Sequence, residues 1–177
     1  MTSPACAECG LDSEALRPLD AINAVRTFPY RYRAVFKVIS QEPAFDEVVH
    51  RRPEPRVWSA VEYAAHAADM IDRSAPAIRR MQSEERPSLP FFDPPGRVDS
   101  ESFNDRSLMG IGVMSAMETA CSDMASTLET VEPNEWARTG VFDWGERDIL
   151  SAARNAVHEG THHLLDIERV LARVLGG

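Results

Sequence analysis

The sequence predicts an all-α fold, a four-helix bundle with a long crossover between its second and third helices. Three observations carry that expectation. Four long stretches repeat apolar residues at spacings of three and four, the signature of a helix with one buried face. No stretch alternates apolar and polar residues over a useful strand length, and no phosphate-binding glycine loop appears. One connection, between the second and third stretches, is the longest of the three and rich in proline.

Taken in order, residues 1–13 form a polar lead containing Cys6-Ala7-Glu8-Cys9-Gly10, and residues 14–177 form one domain. From about Leu16 to Ile39 a first helix carries Leu19, Ile22, Val25 and Phe28, then Ala34, Val35 and Val38. Pro29 lacks a backbone donor and is expected to kink or interrupt it. Gln41 to Trp58, with Pro43, Pro53 and Pro55, reads as a loop. Ser59 as N-cap and Glu62 three residues later form a capping box that starts the second helix, which runs to about Glu84. Its buried face is Val61, Ala64, Ala68, Ile71, Ala75 and Ile78, and Pro76 should bend it.

Arg86 to Leu108 holds Pro87, Pro90, Pro94 and Pro95 together with Phe91, Phe92 and Phe103; a connection of that length crosses the fold or covers a site. The third helix, about Leu108 to Thr130, has a seam of Met114, Met117, Cys121, Met124, Leu128 and Val131. Glu132 to Asp143, with Pro133 and Gly140, is a second connection, and the last helix runs from about Gly145 to Leu175.

A chain of 177 residues can bury a core without staples, and no apolar run approaches membrane-spanning length. The first ten residues lack the basic start and apolar centre of an export signal. Three cysteines without such a signal point to reduced thiols and a cytoplasmic location. A formal charge of −9 argues against nucleic acid or an anionic membrane as partner and says nothing sharper; a small-molecule substrate is expected from the chemistry of the last helix instead. A homodimer through exposed helix faces is compatible with the pattern.

The chemistry concentrates in the last helix, in His158-Glu159-Gly160-Thr161-His162-His163, which holds three of the five histidines. Residues four apart share a helix face, so His158 pairs with His162 and Glu159 with His163. Imidazole nitrogen and carboxylate oxygen both suit zinc or nickel, and two ligands from one helix need a third from elsewhere. His66 in the second helix is the best candidate. At 100° per residue, Ile149, Ala153, Ala156, Leu164, Ile167, Leu171 and Val174 share the buried face of the last helix. Glu159 and His163 lie at its edge, whereas His158 and His162 point nearly opposite. His66 occupies a similar border on its own helix, so His66, Glu159 and His163 are the preferred metal set. Asp166 or Asp69, each one turn beyond a histidine, is placed to orient an imidazole. Tyr63 and Arg138 are weaker candidates for substrate contacts.

Other features read as ordinary. His158 and His162 are expected on a solvated face, Cys121 in the core, and Cys6 and Cys9 in a flexible lead with no chemical role. Cys6-x-x-Cys9 has the form of half a zinc knob, but no second cysteine pair follows.

Val57-Trp58-Ser59 with Glu62-Tyr63-Ala64-Ala65-His66 resembles the first metal-ligand helix of the DinB-like superfamily, and Glu159-x-x-x-His163-x-x-Asp166-Ile167 resembles its second. Trp136-Ala137-Arg138-Thr139-Gly140 before the last helix also fits that family, and the likeness spans the chain apart from the cysteine-bearing lead. The resemblance implies an up-down-down-up bundle, a long link between helices two and three, and a metal held by His66, Glu159 and His163. It also implies, since isomerase-type members share a glutamate at the middle ligand position, metal-dependent activation of a low-molecular-weight thiol cosubstrate such as mycothiol, in an S-transferase or isomerase. A metal-dependent hydrolase and a non-catalytic metal-binding bundle are the competing functions.

Overall fold

The computed structural model describes residues 5–42, 44–89 and 110–176, so Pro43 and most of the expected crossover, with Phe91, Phe92 and Phe103, lie outside the described residues. Among the described residues there are five helices: α1 (Pro18–Val38), α2 (Phe45–His50), α3 (Ala60–Ser83), α4 (Gly110–Glu129) and α5 (Ile149–Gly176). The short strands β1 (Ser88–Leu89), β2 (Thr139–Phe142) and β3 (Gly145–Asp148) form a sheet, and a 3-10 turn spans Ser13–Ala15.

Side-chain bridges show how the four long helices run. Arg26 and Arg33 of α1 pair with Glu129 and Glu118 of α4, so these helices are antiparallel. Arg79 of α3 meets Asp123 of α4 at 3.0 Å, and Gln82 lies 3.4 Å from Thr130, so α3 and α4 run parallel. Ser74 and Ala77 of α3 border the same cavity as Ser151 and Asn155 of α5, while His66 stands beside His163; this pair is antiparallel. Arg154 of α5 donates to the Leu16 carbonyl just before α1, and Tyr32 Oη donates to the Gly160 carbonyl, which makes α1 and α5 parallel. The course is up-down-down-up. Two sequential parallel helices require the chain to travel the bundle's full length between them, which is why the link from α3 to α4 is long. No helix among the described residues is long and apolar enough to cross a membrane.

Several expectations hold in detail. The expected buried face of the second helix is buried throughout in α3, as is the α4 seam apart from half-buried Met114. Ser59 caps α3: its Oγ accepts from Glu62 N–H at 3.4 Å, and Glu62 Oε2 accepts from Ser59 N–H at 2.8 Å. Glu62 is fully buried and its two carboxylate oxygens also accept from Nε and Nη2 of Arg52, which ties the preceding loop to the start of α3.

Three expectations are corrected. First, α1 runs unbroken through Pro29, so its buried phase continues as Val25, Phe28, Tyr32 and Phe36. Val38, expected inward after a break, is 82% exposed, and Leu19 is 62% exposed. Packing of Phe28 and Tyr32, both fully buried, outweighs the single backbone bond that a proline removes. Second, the loop expected from Gln41 to Trp58 contains α2, whose Val48, Val49 and His50 are buried. Third, β2 and β3 form a hairpin across Asp143-Trp144, and β1 joins it in parallel. Strands of two to four residues are too short for alternation to register. The hairpin also moves the start of the last helix from Gly145 to Ile149, where Asp148 Oδ1 accepts from Ser151 N–H at 2.7 Å.

Candidate metal centre

His66 projects from the second turn of α3, buried against the Trp58 ring at 5.0 Å between centroids. Glu159 and His163 sit one turn apart on α5. The facing of α5 depends on α1. A Cβ at Gly160 would fall 2.5 Å from the Phe28 ring, so only glycine lets α1 press this close. That close approach, with the Tyr32 hydrogen bond at 2.9 Å, turns Glu159 and His163 toward α3.

The donor atoms converge. Glu159 Oε2 lies 3.2 Å from His163 Nε2 and 3.8 Å from His66 Nε2, and the two imidazoles meet edge-on at 4.9 Å. Bonds of about 2.0–2.1 Å from nitrogen and oxygen put neighbouring donors of a tetrahedral zinc about 3.3 Å apart, so the three atoms are spaced for one ion. His163 Nδ1 lies 3.0 Å from Asp166 Oδ2, which aims Nε2 at the other two donors. Asp166 is thus the orienting carboxylate, while Asp69 bridges to Arg73 at 3.0 Å. Tyr63 packs its ring 5.4 Å from that of His163 and helps to wall the site. Arg138, expected as a substrate contact, instead donates to the carbonyls of Met81 and Glu84 at 2.6 and 2.9 Å and caps the far end of α3.

The sequence matches the DinB superfamily over residues 31–167. The chain belongs to the DinB superfamily. The matched span contains His66, Glu159 and His163 and leaves out Cys6 and Cys9. The fold is also that of YfiT from Bacillus subtilis, described as a probable metal-dependent hydrolase with an unusual four-helix bundle topology. The TM-score is 0.74 at 16% identity, covering 92% of this chain and 91% of YfiT. No curated protein matches the chain in sequence.

In this DinB-superfamily site the charges are interlocked. Burial opposes ionisation of His163, but hydrogen bonds to Asp166 and Glu159 outweigh it and hold the imidazole up at about 9. Burial pushes Glu159 up, yet the His163 hydrogen bond and the charges of His163, His66 and His158 bring it below its ordinary value. In the metal-free protein the raised imidazole adds stability that is complete below about 6.5 and is lost as pH rises through about 9. A metal needs the neutral ring, so metal affinity rises over that same window and offsets the loss. Thermal melts between pH 6.5 and 9 should fall for chelator-treated protein and stay nearly level for metal-loaded protein, and His163→Ala should flatten the chelator-treated slope; parallel falling slopes would contradict the arrangement.

His158 and His162 lie outside the trio, as the helical wheel predicts, but they are half-buried rather than fully solvated. They meet the N-terminal lead, which is folded against α5. There the Cys9 backbone N–H and the His158 imidazole hold the Cys6 thiol down to about 5, whereas burial pushes Cys9 above its ordinary value and Cys121 up to about 12. Residues of this lead, with Phe142 and Trp144, border an open cavity of about 480 Å³ that reaches His158 but not His66, Glu159 or His163.

Proposed function

We propose that this chain is a metal-dependent enzyme in which His66, Glu159 and His163 hold one divalent ion, zinc or nickel by donor type. The carrying observation is the convergence of three neutralisable donors from two helices on one point, with Asp166 aiming His163. Three protein ligands leave a coordination position open, the arrangement of catalytic zinc. A metal there supplies Lewis acidity that creates a nucleophile at neutral pH from a thiol or from water. The chain's residues do the rest. Glu159 contributes the anionic donor, Asp166 fixes the tautomer and aim of His163, and Trp58 shields His66 and Tyr63 shields His163 from water.

The reading preferred here is activation of a low-molecular-weight thiol toward a small electrophile, in a transferase or isomerase, because the middle ligand is Glu159 as in the isomerase-type members that the sequence resembles. The structural likeness to YfiT supports a second reading, hydrolysis by metal-activated water. Metal-loaded protein is assayed with a panel of electrophiles and esters, with and without low-molecular-weight thiols. Conjugate or isomer formed only with thiol supports the first. Turnover without thiol supports the second, and a metal-loaded protein inert in both arms would leave only a binding role.

A further inference from the structure

A second cluster of ligating side chains lies on the outer flank of α5. One donor atom each from Cys6, Cys9, His158 and His162 all lie within 4.8 Å of one another. The two halves come from opposite ends of the chain. His158 and His162 share a face of α5, with ring centroids 5.3 Å apart. Cys6 and Cys9 sit on a tight turn closed by Gly10 N–H to the Cys6 carbonyl at 2.8 Å and Cys6 N–H to the Leu11 carbonyl at 2.9 Å. Gly10 makes that turn with a φ of +72°, a conformation that a side chain resists, and both sulfurs end up facing the helix.

The spacing and the outer contacts fit a shared ion. Bonds of about 2.3 Å to sulfur and about 2.0 Å to nitrogen set a tetrahedral S···N edge of about 3.5 Å. Cys6 Sγ stands 3.7 Å from His162 Nδ1. The other nitrogen of that ring, Nε2, lies 3.5 Å from a Glu8 carboxylate oxygen and 3.6 Å from Asp166, the outer hold that keeps Nδ1 turned to the sulfur. Two soft sulfur donors and two imidazoles select zinc and complete its coordination, unlike the open three-donor site.

We propose that Cys6, Cys9, His158 and His162 bind a structural zinc ion, separate from the α3–α5 site, that staples the N-terminal lead to α5. The lead supplies Cys6, Leu11 and Glu14 to one wall of the cavity that Phe142 and Trp144 border, so the ion would hold that wall in place.

Cobalt(II) separates this site from the first, because only thiolate ligands give sulfur-to-cobalt charge-transfer absorption. The full chain is purified under reducing conditions, its zinc is measured, and it is reloaded with cobalt. The wild type should show the charge-transfer band, His163→Ala should keep it, and Cys9→Ser and His158→Ala should each lose it together with one equivalent of zinc. Retention in His163→Ala supports this site even if the α3–α5 site proves empty. A wild-type cobalt spectrum without the band overturns the proposal, as does a Cys6–Cys9 disulfide that survives the reducing purification. Should Cys9→Ser fail to fold, the wild-type and His163→Ala spectra decide alone.

Discussion

Replacing His163 with alanine should abolish stable metal binding at the α3–α5 site and, with it, metal-dependent turnover. The imidazole is the donor closest to Glu159, at 3.2 Å, and the one that Asp166 orients. Losing an orienting carboxylate alone costs roughly 10–100-fold in affinity, so Asp166→Asn sets a lower bound and loss of the ligand itself should exceed it. His66→Ala should do the same from the other helix, since its Nε2 is the only nitrogen that α3 brings to Glu159 Oε2 among the described residues. Elemental analysis and calorimetric titration on all three variants, with circular dichroism to confirm helicity, give the answer. Metal bound at wild-type affinity in both alanine variants would remove His66 and His163 from the site.

The largest effect on stability should come from Arg52→Met. Glu62 is fully buried and its carboxylate is held by the Arg52 guanidinium and the Ser59 N–H. Removing the arginine leaves an uncompensated charge inside the protein, a change that costs about 3–5 kcal/mol. In a domain of this size that lowers Tm by roughly 10 °C. The damage reaches the site, because the same capping box starts the helix that carries His66, one turn on from Glu62. Adding Glu62→Leu to Arg52→Met should recover part of the loss, since an apolar pair carries no desolvation cost. A change below about 1 kcal/mol would mean that the pair behaves like an exposed ion pair, and Glu62 must then be reached by water.

Much of the bundle is legible in the residues. The α3 and α4 faces show in apolar spacing, and the α3 start shows in Ser59 and Glu62, because periodicity and capping are local. Where a reading relied on a single local rule, tertiary packing overruled it, as at Pro29, whose helix is held by Phe28 and Tyr32. The sheet escaped because its longest strands have four residues and its pairing joins Ser88 to Val141 across the chain. The trio was legible since Glu159 and His163 are four apart and His66 sits at a matching border; Asp166 was one of two candidates until their distances separated them.

By itself, the sequence determined the elements that depend on neighbours along the chain: four amphipathic helices, the α3 cap and the i,i+4 pairing of His158 with His162 and of Glu159 with His163. Only the tertiary structure decided what those pieces face. The close approach of Phe28 to Gly160 sets the rotation of α5, and the antiparallel packing of α3 on α5 brings His66 to His163. The same rotation presents His158 and His162 to Cys6 and Cys9, more than 140 residues earlier in the chain. Spacing along one helix determines which side chains share a face, but a partner from a distant segment is selected by packing of the whole core, which no local pattern encodes.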